Sequence, residues 1–215
     1  MSVSLLDLGT RPYPEVWALQ RRLVEARSKG EAPDTLILVE HESVITLGRK
    51  TTPENFKPLD VPVFQVERGG DATYHGPGQL VGYPIIKMDV PDVRGFVRSL
   101  EEVLIQASAP FSIEAGRKEK HTGVWVGEKK LASIGVAVTN WVTYHGFAIN
   151  VNTDMSYFQL IRPCGLDPET MTSMERLTGR KVEMESVKRE VVRSFSRVFK
   201  VDLAEGPALL PRTSA

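Results

Sequence analysis

The hydrophobic residues of the chain follow helical spacing in three stretches and strand spacing in several others. After Pro14, apolar residues recur every three or four positions up to Gly30, which predicts a helix with one buried face: Val16, Leu19, Leu23 and Ala26. The same spacing predicts helices over 92–107 and 186–199. Short runs rich in β-branched residues predict strands at 36–39, 44–47, 63–67, 79–87, 124–126, 131–138 and 142–151.

Neighbouring strands separated by short polar segments predict hairpins. The runs at 36–39 and 44–47 flank a polar segment, and a turn at 127–129 joins the runs at 124–126 and 131–138. Gly82 and Pro84 indicate that the strand at 79–87 is an edge strand or carries a bulge. Pairs of strands between helices favour an α+β fold, with a mixed or antiparallel sheet and flanking helices, over an alternating parallel α/β fold.

Length and composition narrow the class of protein. The 215 residues predict one catalytic domain over 1–205, with a C-terminal helical part at 180–200 and a flexible tail at 206–215. A net charge of zero argues against a protein that coats nucleic acid or an anionic membrane. The single cysteine excludes an internal disulfide and indicates a reducing compartment. No apolar run approaches the roughly 20 residues of a membrane span, and the N-terminus lacks a signal-peptide pattern, so we expect a cytoplasmic protein.

Three stretches contain residue types that bind or react. Glycines and polar residues alternate from Arg68 to Gln79, where backbone amides can approach a ligand closely, although a glycine-rich bend has the same pattern. Lys130 begins an otherwise apolar strand face; burial there would favour the neutral amine, a usable base, whereas an exposed lysine would only solvate a turn. Cys164 lies in a predicted loop, as a candidate nucleophile or a small buried side chain. The four histidines are too scattered to predict a metal site.

Together these stretches resemble the signature of the lipoyl(octanoyl) transferases. The segment from Arg68 to Tyr83 reads Arg-Gly-Gly-x-x-Thr-Tyr-His-Gly-Pro-Gly-Gln-x-x-x-Tyr. It is followed in the family's order by Lys-Leu-Ala-Ser-Ile-Gly at 130–135, His-Gly-Phe-Ala-x-Asn at 145–150 and Pro-Cys-Gly at 163–165. The resemblance extends from residue 36 to residue 177, and the first motif with the three that follow it in order is specific for a single family.

The resemblance implies a fold similar to that of biotin and lipoate protein ligases. It implies an enzyme that moves an octanoyl group from octanoyl-acyl carrier protein to a lysine of lipoyl domains, in 2-oxoacid dehydrogenases and the glycine cleavage H protein, with no cofactor. Cys164 would carry the octanoyl thioester, and Lys130 would promote its thiolate form. The implied substrate site comprises Arg68, Gly69, Gly70, Asp71, Ala72, Thr73, Tyr74, His75, Ser133, Ile134, Gly135, Gly146, Phe147 and Ala148.

The physical chemistry of such a transfer is consistent with these residues. Exchange of one thioester for another has little thermodynamic cost, and attack by an amine to form an amide is downhill, so no ATP is needed. Both steps need a base, for which Lys130, His75 and His145 are candidates that sequence spacing does not separate. We expect backbone amides at 134–135 to stabilise the oxyanion, and Gly135 and Gly146 to leave room for an acyl chain.

Two functions of other classes are also consistent with the sequence. An ATP-dependent lipoate or biotin ligase needs no thiol, so Cys164 argues against it. In a non-catalytic module that binds carrier or lipoyl domains, Cys164 and Lys130 would be structural. Segment 180–200 has seven basic and three acidic residues, and 117–130 has five and two, so an acidic carrier protein has two candidate docking faces. A merely solvated basic face is an equally good interpretation.

Overall fold

A computed structural model of the chain describes residues 2–51, 61–119, 121–161 and 167–206. Its regular elements follow in this order: β1 (Ser2–Arg11), α1 (Tyr13–Lys29), β2 (Thr35–His41), β3 (Val44–Leu47), β4 (Val63–Gln65), β5 (Thr73–His75), β6 (Gln79–Ile85), α2 (Val93–Ser108), β7 (Gly116–Lys118), β8 (His121–Val126), β9 (Lys129–Thr139), β10 (Val142–Asn150), α3 (Met174–Thr178), α4 (Met184–Phe199) and β11 (Asp202–Glu205). The predicted tail after residue 206 lies outside the described residues.

The larger of the two sheets is mixed and has eight strands. Its order is β11-β1-β2-β6-β10-β9-β8-β7. The pairs β11–β1 and β1–β2 are parallel, and the pairs from β2 to β7 are antiparallel. The predicted α+β class with a mixed sheet and flanking helices is therefore confirmed, and the hairpin of β8 and β9 is present as predicted.

The two faces of this sheet have separate hydrophobic cores, because successive side chains of a strand point to opposite faces. Leu36, Leu38 and Leu80 pack with α2 and α4 in one core. Ile37, Val39 and Val81 pack with α1 in the other. The last predicted helix thus exists, and its buried residues Val187, Val191 and Phe195 join the core that it shares with α2.

Helix α1 begins and ends where its sequence predicts. Pro14 occupies the first turn, where a missing N–H costs nothing, and Gly30 ends the helix in the left-handed conformation at φ 78°. Helix α2 is capped by Asp92, whose side chain accepts a hydrogen bond from the Gly95 amide. Capping of this kind explains why the predicted helices match the observed ones to within a few residues.

The smaller sheet has three strands in the order β4-β3-β5. The predicted hairpin of the runs at 36–39 and 44–47 is therefore wrong, because β2 pairs with β1 and β6 while β3 pairs with β4 and β5. All four residues at 36–39 are at most 1% exposed, so β2 is buried on both faces. Such a continuous apolar run is typical of a central strand, which has partners on both sides.

Strand β6 is a central strand and not an edge strand as one of the two interpretations predicted. It pairs with β2 on one side and β10 on the other. Gly82 is required because a Cβ there would lie 2.1 Å from Cζ of the Phe147 ring. The ladder with β10 extends only from Asn150–Gln79 to Phe147–Gly82, and it stops before Pro84, which has no N–H to donate.

Candidate active site

A cleft lies where the small sheet meets strands β6, β9 and β10 on the α1 side of the large sheet. It encloses about 470 Å³ of space, including its open mouth. Its polar wall comes from the 68–75 segment and its floor from the large sheet. The lining residues are Tyr13, Arg68, Gly69, Gly70, Thr73, His75, Val81, Tyr83, Ser133, Ile134, Gly135, His145, Gly146, Phe147 and Ala148.

Eleven of the fourteen predicted substrate-site residues line this cleft, and three do not. Thr73 and His75 point into it, so Tyr74 between them points away, stacks on Tyr157 and contacts the Ser43 hydroxyl. Ala72 belongs to the core under the small sheet. The Asp71 carboxylate accepts a hydrogen bond from the Ala72 amide, which shapes the loop.

Three lining residues, Tyr13, Val81 and Tyr83, were not assigned to the site from the sequence, and His145 was named only as a candidate base. Tyr83 and His145 belong to the quoted motifs, and strand alternation from Gly82 and Gly146 is the feature that places them near the site. Val81 lies on the same face of β6 as Tyr83. Tyr13 begins α1, far along the chain from the motifs, and no local pattern indicates its place.

Arg68 fixes the shape of the polar wall through hydrogen bonds to backbone carbonyls. Its guanidinium donates to the Thr46 carbonyl at 2.7 Å and to the Asp71 carbonyl at 2.7 Å. The Gly69 amide donates to the Val136 carbonyl at 3.0 Å, which attaches the loop to β9. A Cβ on Gly135 would lie 3.0 Å from the Gly69 carbonyl oxygen, so this glycine makes room for the loop, not for an acyl chain as predicted.

The space beside Gly146, which was predicted to hold an acyl chain, is filled by atoms of strand β6. A Cβ there would lie 2.2 Å from the Gly82 carbonyl oxygen and 2.6 Å from Cδ of Pro84. The close approach of β6 and β10 at this point explains the glycine. The space of the cleft comes instead from the gap between the two sheets.

His145 enters the cleft because it leaves the β6–β10 ladder. Its φ of 53° is in the left-handed region, which non-glycine residues adopt only under constraint. Pro84 has no N–H to donate to β10 at this position, and the His145 amide donates outside the ladder, to Gln20 Oε1 at 2.8 Å. The ring Nε2 lies 3.3 Å from a Glu67 carboxylate oxygen, which also accepts from Trp17 Nε1 at 3.2 Å.

The cleft histidines are neutral at physiological pH. Burial, the nearby His41 ring and the positive charge of Arg68 together lower the pKa of His75 to about 3, although the hydrogen bond with Gln79 opposes this shift. Burial also lowers the pKa of His145 to about 4, although the Glu67 carboxylate opposes this shift. A general base works best with a pKa near the operating pH, so neither ring suits the proton-accepting role that the sequence left open.

Lys130 is buried in β9, three positions before Ser133. Its side chain is held between Gly123 and Trp125: a Cβ on Gly123 would lie 2.7 Å from Lys130 Cε, and Nζ lies 5.6 Å from the centroid of the Trp125 ring. Only 3% of the residue is exposed. A side chain that is so little exposed does not solvate a turn, so that alternative is wrong for Lys130.

Cys164 lies outside the described residues, so its predicted role stays a prediction. The described residues on either side of it have defined contacts. Ile161 packs in the core under the small sheet, together with Tyr74 and Met171. Met171 pairs with Lys130 across a β-bridge, and the Thr172 amide donates to the Lys130 carbonyl at 3.0 Å.

Within the described residues, no three His, Cys, Asp or Glu side chains are grouped so as to hold a metal ion. Over the same residues, no helix is long and apolar enough to cross a membrane.

Proteins of known class match almost the whole chain. The family model of the lipoyl protein ligase A/B catalytic domain matches residues 12–196. The octanoyltransferase of Rubrobacter xylanophilus is 48% identical over 200 residues, covering 89% of this chain and 90% of that protein. The octanoyltransferase of Syntrophotalea carbinolica is 48% identical over 200 residues, covering 92% and 95%. The chain belongs to the lipoyl protein ligase A/B catalytic-domain family.

Solved structures share the fold of this family. A lipoate-protein ligase A bound with ATP superposes with a TM-score of 0.79 at 19% identity, covering 96% of this chain and 89% of that one. A bipartite lipoate protein ligase from Thermoplasma acidophilum gives 0.77 at 20%, covering 96% and 87%. The biotin protein ligase of Aquifex aeolicus gives 0.55 at 14%, covering 93% and 69%. The predicted family, its ligase-like fold and the enzyme class of octanoyltransferase are confirmed.

Of the two predicted basic docking faces, the one at 180–200 lies mainly on helix α4, and carrier docking at either face stays a prediction. Helix α4 packs in the core on the face of the large sheet opposite to α1, whereas the cleft residues Val81, Tyr83 and Ala148 belong to the α1 side. Its basic side chains also have local partners, since Arg193 pairs with Glu190 at 2.9 Å. A carrier protein docked on α4 would therefore lie on the far side of the sheet from the cleft.

Proposed function

We propose that this enzyme transfers an octanoyl group from octanoyl-acyl carrier protein to a lysine of a lipoyl domain, through a thioester on Cys164. The relatives at 48% identity are octanoyltransferases. The observation that carries the mechanism is the pairing of Met171 with Lys130, because it brings the chain back from the Cys164 segment directly beside the buried lysine. The proposal includes the cytoplasm as the compartment, where a single thiol stays reduced.

The first half-reaction exchanges thioesters. Neutral Lys130 takes the proton of the Cys164 thiol, and the thiolate attacks the octanoyl carbonyl carbon. A new C–S bond forms to Cys164, the C–S bond to the carrier breaks, and the departing carrier thiolate takes the proton back from the Lys130 ammonium. Lys130 is suited to both transfers by its position: it is 3% exposed, and its strand pairs with Met171, which follows Cys164 by seven residues along the chain.

The second half-reaction forms the amide. The neutral amine of the acceptor lysine attacks the acyl carbonyl, a C–N bond forms and the C–S bond to Cys164 breaks. The proton lost by the amine passes through Lys130 to the Cys164 thiolate. No ATP is consumed, because an amide is more stable than the thioester that it replaces.

One backbone amide of the predicted pair is suitably placed to stabilise the oxyanion. In every second residue of β9 the backbone N–H and C=O groups point away from β10. Ala132 pairs in this way with Val124 of β8, and the Val136 carbonyl accepts from the Gly69 amide. Ile134 lies between them on the same side, beyond the last residue that pairs with β8. Its N–H therefore faces the open edge of the sheet at the cleft, whereas the amide of Gly135 points toward β10. We assign the oxyanion donor to Ile134 alone.

An adduct experiment tests the proposal. The protein is incubated with an octanoyl thioester in the absence of ATP, and its intact mass is measured before and after hydroxylamine. We expect an octanoyl adduct that hydroxylamine removes, that Cys164→Ser does not form, and that Lys130→Ala forms at least a hundredfold more slowly, as expected for loss of a general base at about 10²–10⁴-fold.

Lys129→Ala is the matched control for the lysine variant. Lys129 is its exposed neighbour, and its side chain donates to the Glu169 carbonyl at 2.8 Å, so this variant should acylate at the wild-type rate. Absence of an adduct on the wild-type protein would contradict covalent transfer. Octanoylation of a lipoyl domain that requires octanoic acid and ATP would instead identify a ligase, and binding of the carrier without either reaction would identify a non-catalytic module.

A further inference from the structure

His75 presents one ring nitrogen to the cleft, while its other nitrogen is held inside the protein. Nδ1 lies 2.7 Å from Gln79 Oε1. The amide nitrogen of Gln79 donates to the Tyr74 carbonyl at 3.1 Å and to Asn150 Oδ1 at 2.9 Å, and both of these are acceptors. The amide oxygen of Gln79 must therefore face His75. Since that oxygen can only accept, the hydrogen of the neutral ring is on Nδ1 and the lone pair is on Nε2.

The hydrogen-bond chain continues to the strand of Lys130. Asn150 Nδ2 donates to the Thr172 carbonyl at 2.9 Å, and the Thr172 amide donates to the Lys130 carbonyl at 3.0 Å. Gln79 and Asn150 are each 1% exposed, and both ends of each amide are hydrogen-bonded. Reversal of either amide would place two donors or two acceptors in contact, so the direction of the whole chain is determined.

The environment of Nε2 keeps it an acceptor. The Tyr13 ring stacks on His75 with centroids 6.2 Å apart, and His41, Arg68 and His145 are its other polar neighbours. Arg68 is the charged group among them and disfavours a proton on the ring. His75 Nε2 has no hydrogen-bond partner among the described residues, although His75 lines the cleft.

We propose that His75 Nε2 accepts a hydrogen bond from the amine of the incoming lysine, and that Gln79 and Asn150 are positioning residues that hold the ring in the required tautomer. This inference rests on the proposed function. A neutral amine has two N–H groups and one lone pair. Donation of one N–H to Nε2 orients the amine and leaves its lone pair for the acyl carbonyl. A ring with hydrogen on Nε2 would present a donor and could not bind the amine in this way. No proton is transferred to His75, and proton transfer stays with Lys130.

The tautomer is measured directly by ¹⁵N NMR of the protein with labelled histidine. The His75 resonances are identified by their loss in His75→Gln. We expect Nδ1 to carry the hydrogen in the wild-type protein and Nε2 to be unprotonated between pH 6 and pH 8. In Gln79→Leu, which removes the acceptor at Nδ1, we expect the hydrogen to move to Nε2. A wild-type His75 with its hydrogen on Nε2 would overturn the proposal.

The functional consequence is measured on the two half-reactions separately. Acylation of the protein by an octanoyl thioester and transfer from the acylated protein to a lipoyl domain are timed by intact mass. For Gln79→Leu we expect transfer to slow by about tenfold, the effect of one lost hydrogen bond, while acylation stays within about twofold of wild type. Equal slowing of both half-reactions would contradict an amine-specific role.

A conservative variant and a matched control keep the test independent of folding. In Gln79→Glu one carboxylate oxygen still accepts from Nδ1, the other replaces the nitrogen that donates to Tyr74 and Asn150, and the negative charge favours a proton on the ring. Its transfer rate relative to wild type should therefore fall as the pH is lowered from 8 to 6. Asn152→Leu is the control: this amide also makes two hydrogen bonds, both with the Val182 backbone, at 2.8 and 2.9 Å. It should change neither the His75 tautomer nor the ratio of the half-reactions.

The two proposals fail in different ways. If the wild-type protein forms no octanoyl adduct, the proposed function fails, and the NMR result still reports the tautomer. If the adduct forms and transfers normally while Gln79→Leu moves the hydrogen to Nε2 without slowing transfer, only the amine-binding role of His75 is wrong.

Discussion

Gly82 is the position at which one added methyl group tests the packing of the large sheet. A Cβ at this residue would lie 2.1, 2.5 and 2.6 Å from three carbons of the Phe147 ring. Carbon atoms in contact are normally about 3.5–4.0 Å apart, so the ring must move by more than 1 Å, roughly the shortfall in that distance. Phe147 is 2% exposed and packs in the core with α2 and α4, so its ring can move only by disturbing that core or by entering the cleft that it also lines. We expect Gly82→Ala to lower the free energy of unfolding by about 3 kcal/mol, the upper part of the range for overpacked cores.

Urea unfolding and thermal melting measure this effect. For a chain of this size, a loss of about 3 kcal/mol lowers the melting temperature by about 6–12 °C. Phe147→Leu should cost about 1–2 kcal/mol by itself, yet it removes the ring that the added methyl group would strike. The double variant should therefore be more stable than the sum of the two single effects by at least about 1 kcal/mol.

Gly116→Ala is the matched control. Gly116 lies in the edge strand β7, and a Cβ there would meet nothing within 4 Å. We expect this variant to be neutral or more stable by up to about 1 kcal/mol, because alanine restricts the unfolded chain. A Gly82→Ala protein as stable as Gly116→Ala, or effects that add in the double variant, would refute the packing argument.

Two further outcomes concern stability. Burial lowers the pKa of His41 to about 4, of His75 to about 3 and of His145 to about 4, so the unfolded state binds more protons below pH 6.5 and stability falls with pH from 6.5 towards 4. Each ring contributes at most about 1.4 kcal/mol per pH unit, so the free energy of unfolding, measured in urea, should be about 4 kcal/mol lower at pH 5 than at pH 6. In His41→Gln this difference should be about a third smaller. The same pH dependence in that variant and in the wild-type protein would contradict the role of His41. Asp92→Ala removes the cap of α2, whose Oδ1 lies 2.8 Å from the Gly95 amide, and should lower stability by about 1 kcal/mol. Asp92→Asn retains the acceptor and should melt near the wild-type temperature; melts of the two variants that coincide would contradict the capping role.

The sequence predicted most of the helices and strands, because the residues that determine where each one begins, ends and buries a face are close together in the sequence. The spacing of Val16, Leu19 and Leu23 determines one buried face of α1, and Gly30 supplies the conformation that ends it. The turn between β8 and β9 needs no distant residue. The partners of β2 and β3 were predicted wrongly because a run of four apolar residues does not indicate which strands lie on either side of it.

The parts of the site that could not be predicted depend on contacts between distant residues. Gly82 is explained by Phe147, which lies 65 positions further along the chain. The amides of Gln79 and Asn150 belong to the quoted motifs, but their hydrogen bond spans 71 positions, so sequence spacing indicated no role for either. Alternation along β5 was available and would have separated Tyr74 from its two neighbours in the cleft.

The cleft has walls that belong to two sheets, which share part of one core: Val44 and Phe64 of the small sheet pack with α1 and the large sheet, while Ile45 and Tyr74 pack in a core of their own. His75 and Thr73 are carried by the small sheet, while Gly135 and Ala148 are carried by the large one, and the hydrogen bond from Gly69 to Val136 joins the two. Folding stability resides mainly in the large sheet and its helices, whereas the width of the cleft depends on how the small sheet sits against it. Substitutions in the core that contains Ile45 and Tyr74 can therefore change the width of the cleft while leaving the two larger cores intact. On the wall of the large sheet the two properties are not separate, because Val81, Tyr83 and Ala148 line the cleft and also pack in the core with α1.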